Sequence, residues 1–235
     1  MTSAFYSRTS MGADFSHNPV VDVQGGQLEL ITRAPSQRLR VLDLGCEAGT
    51  PTQILMSDAS PYHVIGADLS LQALVRYVDD TQRSGIQLDA LRLPFADGSF
   101  DIVVSDDVIE QLVDTDSFTR EISRVLSPNG WLFLSTPNLA AWFNRIVLLF
   151  GIEPAFSEVS FEKVFGRPGD DVVGHLHLFT SQSICEFLNF HEYDIVDIRR
   201  ARFEAIPRVA RPMDGLAARC PSIAGNTVVA ARKKS

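Results

Sequence analysis

Two kinds of hydrophobic pattern alternate along most of this chain. Short runs rich in β-branched and other apolar residues predict strands, and apolar residues that recur every three or four positions predict helices. The predicted strands are 40–44, 63–68, 86–89, 100–105, 131–135, 193–200 and 227–231. The predicted helices are 27–33, one opening at Thr50, 70–78, 116–126, 138–150 and 181–190. This alternation favours a mainly parallel sheet with helices on both faces.

Residues 137–175 interrupt the alternation. A helical stretch over 138–150 is followed by a segment punctuated by glycine and proline and rich in phenylalanine. Residues 1–26 are polar and patternless, and we interpret them as a loose arm or a short lid. We therefore expect one domain over 1–235, with 137–175 inserted as a cap between the fifth and sixth strands.

The composition is typical of a globular protein: 45% of the 235 residues are hydrophobic and 21% are charged. The net charge of −8 argues against a main function in binding nucleic acid or anionic lipid. Three scattered cysteines exclude a disulfide framework and a thiolate zinc site. No apolar run reaches the roughly 18 residues that span a bilayer, and no signal peptide is evident. We expect a cytoplasmic protein without stable membrane insertion; the sequence does not indicate its oligomeric state.

The most informative segment is Val41-Leu-Asp-Leu-Gly-Cys-Glu-Ala-Gly49, at the end of the first predicted strand. In open parallel sheets, ligands bind at the carboxyl ends of the strands, and a glycine there lets the backbone approach a ligand closely. Asp68 ends the next strand about 20 positions beyond Gly49, a spacing that suits a carboxylate bound to ribose hydroxyls. The chain lacks the G-x-G-x-x-G triplet that binds a pyrophosphate. The pattern therefore favours a ligand with a ribose and no phosphate.

Five segments follow one another in the order and spacing of a known family: Asp43-Leu-Gly-Cys46, Val64-Ile-Gly-Ala-Asp68, 89–101, 105–112 and Leu126-Ser-Pro-Asn-Gly130. Together they resemble the class I S-adenosylmethionine-dependent methyltransferases, from Leu39 to the C-terminus. The resemblance implies S-adenosylmethionine as cofactor. The expected fold is an α/β, Rossmann-like three-layer sandwich. Its mainly parallel seven-stranded sheet has an antiparallel final strand, and a helical cap lies between strands five and six.

The resemblance also implies roles for individual residues. The methionine portion would be contacted by Gly45, Cys46, Glu47 and Gly49, and Asp43 would order their loop. Asp68 would bind the ribose and Leu69 would lie against the adenine, which Asp89 and Ala90 would also contact. Asp106 would line the path from the sulfonium to the acceptor. Capping is the alternative role for Asp43 and Asp68, and a turn is the alternative for Asp89. Two residues depart from the family pattern: Glu47 replaces its second glycine, and Gln111 replaces a common histidine.

Transfer to a hydroxyl benefits from a general base, and histidine is a suitable one. His175 and His177 would share one face of an extended segment. We consider two roles for His175: a catalytic base or orienting donor at the acceptor, or packing where the cap joins the core. We expect no metal, because no acidic cluster accompanies the histidines.

Leu139, Trp142, Phe143, Ile146 and Phe150 form an apolar stripe in the cap. Such a stripe is either ordinary core or the wall of a pocket for an aromatic or apolar acceptor. The leading hypothesis is methyl transfer to a small molecule, with oxygen favoured over nitrogen or carbon. The alternatives are a non-catalytic binding or scaffold subunit, suggested by Glu47 and Gln111, and a nicotinamide-dependent oxidoreductase or epimerase.

Overall fold

The computed structural model describes residues 38–47, 62–167, 172, 174–201, 211–217 and 220–235. Its strands are β1 (Leu39–Leu44), β2 (Tyr62–Asp68), β3 (Ser84–Gln87), β4 (Phe100–Asp106), β5 (Leu126–Pro137), β6 (Tyr193–Ala201) and β7 (Asn226–Lys233). Its α-helices are α1 (Leu71–Thr81), α2 (Thr115–Val125), α3 (Trp142–Leu149), α4 (Ser181–Phe190) and α5 (Arg211–Ala217). The predicted arm 1–26, the helices at 27–33 and from Thr50, and Gly49 lie outside the described residues.

The seven strands form one sheet in the order β3-β2-β1-β4-β5-β7-β6. Strands β1 to β5 pair with one another in parallel. Strand β7 is antiparallel to both β5 and β6. The predicted α/β fold, with its mainly parallel seven-stranded sheet and antiparallel final strand, is confirmed. Neighbouring parallel strands end at one edge of the sheet, which places the loops after β1, β2 and β4 side by side.

Apolar side chains pack on both faces of the sheet. On one face, Leu42 and Leu44 of β1 pack in a cluster with α2 and α4, which contribute Phe118 and Ile184. On the other face, Val41 of β1 packs with Val64, Ile102, Val104, Phe133 and Ala230. Successive residues of β1 thus point to opposite faces, as the strand period requires. The burial of β1 on both faces fixes the position of the loop that follows it.

Polar side chains cap the starts of three helices. The Ser70 hydroxyl accepts a hydrogen bond from the amide of Ala73, at 3.3 Å, at the start of α1. Asp114 caps α2 in the same way. Thr180 and Ser183 form a reciprocal capping box at the start of α4. Each cap satisfies backbone amides that a helix leaves without partners in its first turn.

Helix α3 begins four residues later than the sequence predicted. The predicted first residue, Asn138, is fully buried, and its side-chain amide donates to the Ala224 carbonyl at 2.9 Å. Its side-chain oxygen accepts from the amide of Ala140, also at 2.9 Å. These tertiary and turn contacts hold the backbone out of a helix until Trp142.

The irregular segment after α3 is held by two buried polar side chains. The side-chain oxygen of Asn144 accepts from the amide of Ala155 at 2.8 Å. The carboxylate of Glu158 accepts from the amide of Gly174 at 2.7 Å and lies 3.6 Å from the Arg167 guanidinium. The chain is thereby led from α3 back to the sheet. The division into one domain with a cap over 137–175 stays a prediction.

None of the helices in the described ranges has the length and apolar character needed to cross a membrane.

Candidate active site

The turn after β1 is tied to the end of β2. The amides of Gly45 and Cys46 both donate to the carbonyl of Ala67, at 2.8 and 3.1 Å. Gly45 has φ +81, a conformation that favours glycine. A Cβ atom at Gly45 would lie 2.3 Å from a methyl group of Val108. The glycine is therefore required both for the turn and for the close approach of the segment after β4.

Asp68 joins this turn to the start of α1. One carboxylate oxygen accepts from the amide of Ser70 at 2.7 Å, and the other accepts from the amide of Glu47 at 3.1 Å. Burial raises the pKa of Asp68, while these hydrogen bonds lower it. A carboxylate oxygen has more than one acceptor site, so each oxygen retains capacity for a ligand hydroxyl. Asp68 thus has both the capping role and the geometry expected of a ribose ligand.

Glu47 adopts a left-handed backbone conformation, with φ +45, which is uncommon for a residue with a side chain. Burial and the nearby Asp68 raise the pKa of its carboxyl group, whereas Arg76 lowers it. Beneath the turn, Asp43 and Cys46 are almost fully buried, and burial raises the pKa of the Cys46 thiol. Glu47 therefore adds a partly buried carboxyl to a site that already contains two aspartates.

The predicted adenine-binding loop follows β3. The Leu88 amide donates to the Asp68 carbonyl at 3.1 Å, and the Gln87 side chain donates to the Leu69 carbonyl at 3.0 Å. The exposed carboxylate of Asp89 accepts from the amide of Leu91 at 2.9 Å, an arrangement that stabilises a turn. These contacts bring Leu69, Asp89 and Ala90 to the same edge of the sheet as Asp68.

A second group of carboxyls lies at the end of β4. The register of β4 and β5 pairs Asp106 with Ser135. The Ser135 hydroxyl contacts Oδ1 of Asp106 and lies 3.1 Å from Oδ1 of Asp107. Burial is the main cause of a raised pKa for both aspartates, to about 6 for Asp107. Within the described ranges, neither aspartate forms an ion pair with a lysine or arginine.

Glu110 links this group to His175. Its Oε2 accepts from the Thr136 hydroxyl at 3.1 Å, and its Oε1 lies 3.7 Å from Nε2 of His175. The amides of Leu176 and His177 both donate to the Glu110 carbonyl, at 2.7 and 2.9 Å. The returning segment is thereby fixed to the turn after β4. Burial raises the pKa of Glu110.

His175 is buried, with its ring centroid 5.5 Å from that of Phe156. Burial and the Arg167 guanidinium lower the pKa of His175 to about 4, so the imidazole is uncharged at neutral pH. His177 is less buried, and its Nε2 lies 3.4 Å from the Val113 carbonyl. No group of three or more potential metal ligands is found in the described part of the chain.

The apolar stripe of α3 is only partly buried. Ile146 and Phe150 are exposed, at 42% and 75%, so they are not core residues. Phe143 is half-buried and packs against Phe156, with ring centroids 6.5 Å apart. Trp142 donates its indole N–H to buried Asp214 of α5 at 3.1 Å. Phe143 and Phe156 thus form an aromatic surface that continues to His175.

The structure brings together the predicted residues 43, 45–47, 68–69, 89–90 and 106, whereas Gly49 is not described. Asp107, Ser135 and Glu110 are site residues to which the sequence pattern alone gave no role. The available signal was the run of acids Ser105-Asp-Asp-Val-Ile-Glu110 directly after a buried strand. Ser135 gave no signal, because its contact with the aspartates depends on the pairing of β4 with β5.

Known proteins share this fold and parts of this sequence. N-methyltransferase NodS from Bradyrhizobium japonicum superposes with a TM-score of 0.64 at 15% identity, covering 100% of this chain and 99% of NodS. The [4+2]-cyclase SpnF superposes with a TM-score of 0.60 at 19% identity, covering 91% of this chain and 81% of SpnF. The strand order and the acidic edge of the sheet therefore define a Rossmann-like fold of the methyltransferase type.

Residues 42–134 match the family model described as a methyltransferase domain. The ubiquinone biosynthesis O-methyltransferase of Sinorhizobium medicae is 30% identical over 112 residues, which are 46% of this chain and 44% of that protein. The 2-methyl-6-phytyl-1,4-hydroquinone methyltransferase of Synechocystis is 35% identical over 103 residues, 42% of this chain and 32% of that protein. This chain thus spans half or less of the length of these curated relatives. Residues 42–134 of this chain are thus similar to a methyltransferase domain, as the resemblance to the class I S-adenosylmethionine-dependent methyltransferases predicted.

Proposed function

We propose that this protein transfers a methyl group from S-adenosylmethionine to a small-molecule acceptor, with oxygen favoured as the acceptor atom. The main support is that the Gly45–Glu47 turn, Asp68 and the end of β4 meet at one edge of the sheet. When bound, S-adenosylmethionine supplies an electrophilic methyl group on a positively charged sulfur. Transfer is an in-line displacement, so the residues of this chain contribute mainly by positioning and by electrostatics.

The residues at this edge fit such a cofactor. Burial raises the pKa of Glu47, Asp106 and Asp107, and the nearby Asp43 and Glu47 raise that of Asp106 further. A cationic ligand would relieve this accumulation of acids. For the methionine portion we propose Asp43, Gly45, Cys46, Glu47 and Gly49. Asp68 and Leu69 would bind the ribose and adenine, and Asp89 and Ala90 would contact the adenine. Asp106 would line the path toward the acceptor.

His175 is the proposed catalytic residue. Its pKa of about 4 leaves the imidazole unprotonated at neutral pH, so it can accept a hydrogen bond or a proton from an acceptor hydroxyl. Its burial beside Phe156 and Glu110 supports a fixed orientation. The competing role is packing between the returning segment and the core. Replacing His175 by Ala distinguishes the two, because a base is needed for turnover and not for binding of the cofactor product.

The acceptor class we propose is aromatic or apolar. Phe143 and Phe156 present partly exposed rings next to His175, and such surfaces bind planar apolar ligands. Several relatives support the oxygen preference by their names, including ubiquinone biosynthesis O-methyltransferase and the 27-O-demethylrifamycin SV methyltransferase of Amycolatopsis mediterranei, which is 30% identical over 135 residues. The net charge of −8 gives no support for a nucleic acid substrate.

Titration calorimetry with S-adenosylhomocysteine tests the proposal. We expect micromolar binding to the wild-type protein, and at least a tenfold loss on Asp68→Ala, since a hydrogen bond to a charged group contributes about 1.5–3 kcal/mol. Asp80→Asn is the matched control, because Asp80 is exposed on α1, away from the turn. Binding of NAD alone would instead favour the nicotinamide alternative. Binding of neither ligand would contradict the proposal and favour a scaffold subunit.

A further inference from the structure

The Ser135 hydroxyl has more contacts with carboxyl groups than its single proton can satisfy. Its oxygen contacts Asp106 Oδ1, lies 3.1 Å from Asp107 Oδ1, and also accepts from the amide of Asp107 at 3.2 Å. A hydroxyl donates one hydrogen bond only. It can therefore donate to one of the two carboxylates, and the second contact is a hydrogen bond only if that carboxyl carries a proton itself.

The backbone holds the two carboxyls in this arrangement. Asp106 is fixed opposite Ser135 by the pairing of β4 with β5. Asp107 follows with φ +50, a left-handed conformation that aspartate tolerates better than most residues. Its carbonyl accepts from the side chain of Gln111 at 2.9 Å. The backbone of Asp107 is thus held by contacts with Ser135 and Gln111, which place its carboxyl next to that of Asp106.

Among the described residues, the charged groups that interact with the pair are carboxyls. Asp43 of β1 and Glu47 of the following turn face Asp106, and Glu110 faces both aspartates from the turn after β4. Arg76 lowers the pKa of Glu47 and Asp68, and no lysine or arginine of the described ranges forms an ion pair with Asp106 or Asp107. Beyond Glu110 lies His175, which is uncharged at neutral pH. Two adjacent carboxylates in such surroundings ionise together only at high cost.

We infer that Asp106 and Asp107, bridged by Ser135, share one proton in the free protein and release it when a cationic sulfonium binds. The inference rests on the proposed function and adds a basis for selecting the charged methyl donor over its neutral product. A positive sulfur beside the pair stabilises the doubly ionised form, whereas the thioether of S-adenosylhomocysteine does not. The pair is a specificity-determining element, because it distinguishes ligands that differ by one charge and one methyl group.

The sign of the pH dependence follows from this release. Binding that releases a proton strengthens as pH rises, by up to tenfold per pH unit for one proton. We therefore expect the affinity for S-adenosylmethionine to increase between pH 5.5 and 7 by several-fold more than the affinity for S-adenosylhomocysteine. Because this measurement uses the wild-type protein, it does not depend on the folding of any variant.

Calorimetry at pH 6.5 in two buffers of different ionisation enthalpy counts the protons directly. For the wild-type protein we expect release of about half to one proton with S-adenosylmethionine and less than about 0.2 with S-adenosylhomocysteine. In Asp107→Asn the single remaining carboxylate accepts the Ser135 hydrogen bond without a shared proton, so the difference between the ligands disappears. Asp80→Asn is the control and retains the difference.

The two ligands also separate failure of this inference from failure of the proposed function. Equal proton release with both ligands, or equal pH dependence of both affinities, would overturn the shared proton and leave the methyltransferase assignment intact. If Asp107→Asn kept the full difference in proton release between the two ligands, the shared proton would likewise be overturned and the methyltransferase assignment would stand. If neither ligand bound at any pH, both proposals would be wrong.

Discussion

Strand β4 carries carboxylates at both of its ends, and their surroundings differ. At the amino end, Asp101 accepts two hydrogen bonds from the Arg40 guanidinium, at 3.1 and 2.8 Å, and this lowers the pKa of Asp101. At the carboxyl end, burial raises the pKa of Asp106 and Asp107. No lysine or arginine of the described ranges pairs with either of them.

The amino end shows what a carboxylate contributes when it is paired. Arg124 of α2 donates to the carbonyls of Leu93 and Phe95, at 2.9 and 2.7 Å, and forms ion pairs with Glu121 and Asp97. These contacts fix the loop before β4 to the helix that follows it. At the carboxyl end, the acids have hydroxyl and amide partners but no cation. The comparison indicates that the amino end stabilises the fold, and it agrees with the proposal that the carboxyl end binds a cationic ligand.

The largest stability effect is expected at the amino end. Replacing Arg124 by Ala removes two hydrogen bonds to partly buried carbonyls, and we expect the free energy of unfolding to fall by about 2 kcal/mol. Urea denaturation at pH 7 measures this change. Arg120→Ala is the control, because Arg120 is exposed on the same helix, where its guanidinium donates to the Ser117 hydroxyl at 3.1 Å and lies near the exposed Asp114. Its expected effect is below about 0.5 kcal/mol. If the two substitutions lowered the free energy of unfolding equally, the contacts of Arg124 with the loop before β4 would not stabilise the fold more than a surface arginine does.

The two ends should also respond to pH with opposite signs. The folded-state pKa of Asp101 is lowered, so its contribution to stability is present above the unfolded pKa and is lost as pH falls through the folded value. The folded-state pKa of Asp107 is raised to about 6, so stability is lost as pH rises from about 4 to 6. We expect Asp101→Asn to flatten the acid side of the stability profile. Asp107→Asn should flatten the decline between pH 4 and 6 and add about 1 kcal/mol at pH 7.

Urea denaturation of the wild type and of these two variants, from pH 3 to 8, checks both slopes. Retention of the decline between pH 4 and 6 in Asp107→Asn would show that its carboxyl does not carry the raised pKa. The profile of Asp101→Asn serves as the internal comparison, because the substitution is the same and only the end of the strand differs.

The strands, helix α4 and the core were largely predictable from local sequence, whereas the acidic pair was not. Helix α4 has the predicted bounds because Thr180 and Ser183 cap it locally. The parallel strands followed from their apolar runs, and Gly45 and Asp68 from their positions after β1 and β2. The contact of Ser135 with Asp106 and Asp107 depends on strand register, and the late start of α3 depends on the distant Ala224 carbonyl that binds Asn138. Such long-range contacts leave no local pattern.

The smallest expected effect concerns backbone conformation at the two ends of the sheet. Glu47, at the carboxyl edge, and Asn129, near the start of β5, both have positive φ, +45 and +61. A side chain in the left-handed region costs about 1 kcal/mol, and less for asparagine than for glutamate. Glycine removes this cost but adds entropy to the unfolded chain. We expect Glu47→Gly to raise the free energy of unfolding by up to about 1 kcal/mol, since it also removes a partly buried carboxyl. Asn129→Gly should lower it by a few tenths of a kcal/mol.

The same pair of variants links strain to binding at the site. Because Glu47 adds negative charge next to Asp68, its removal should weaken binding of S-adenosylmethionine more than binding of S-adenosylhomocysteine, while Asn129→Gly should change neither affinity. Thermal unfolding and calorimetry on both variants provide the two measurements. If Glu47→Gly destabilised the protein as Asn129→Gly does, the left-handed glutamate would not be strained, and its conformation would have to be attributed to the hydrogen bond between its amide and Asp68.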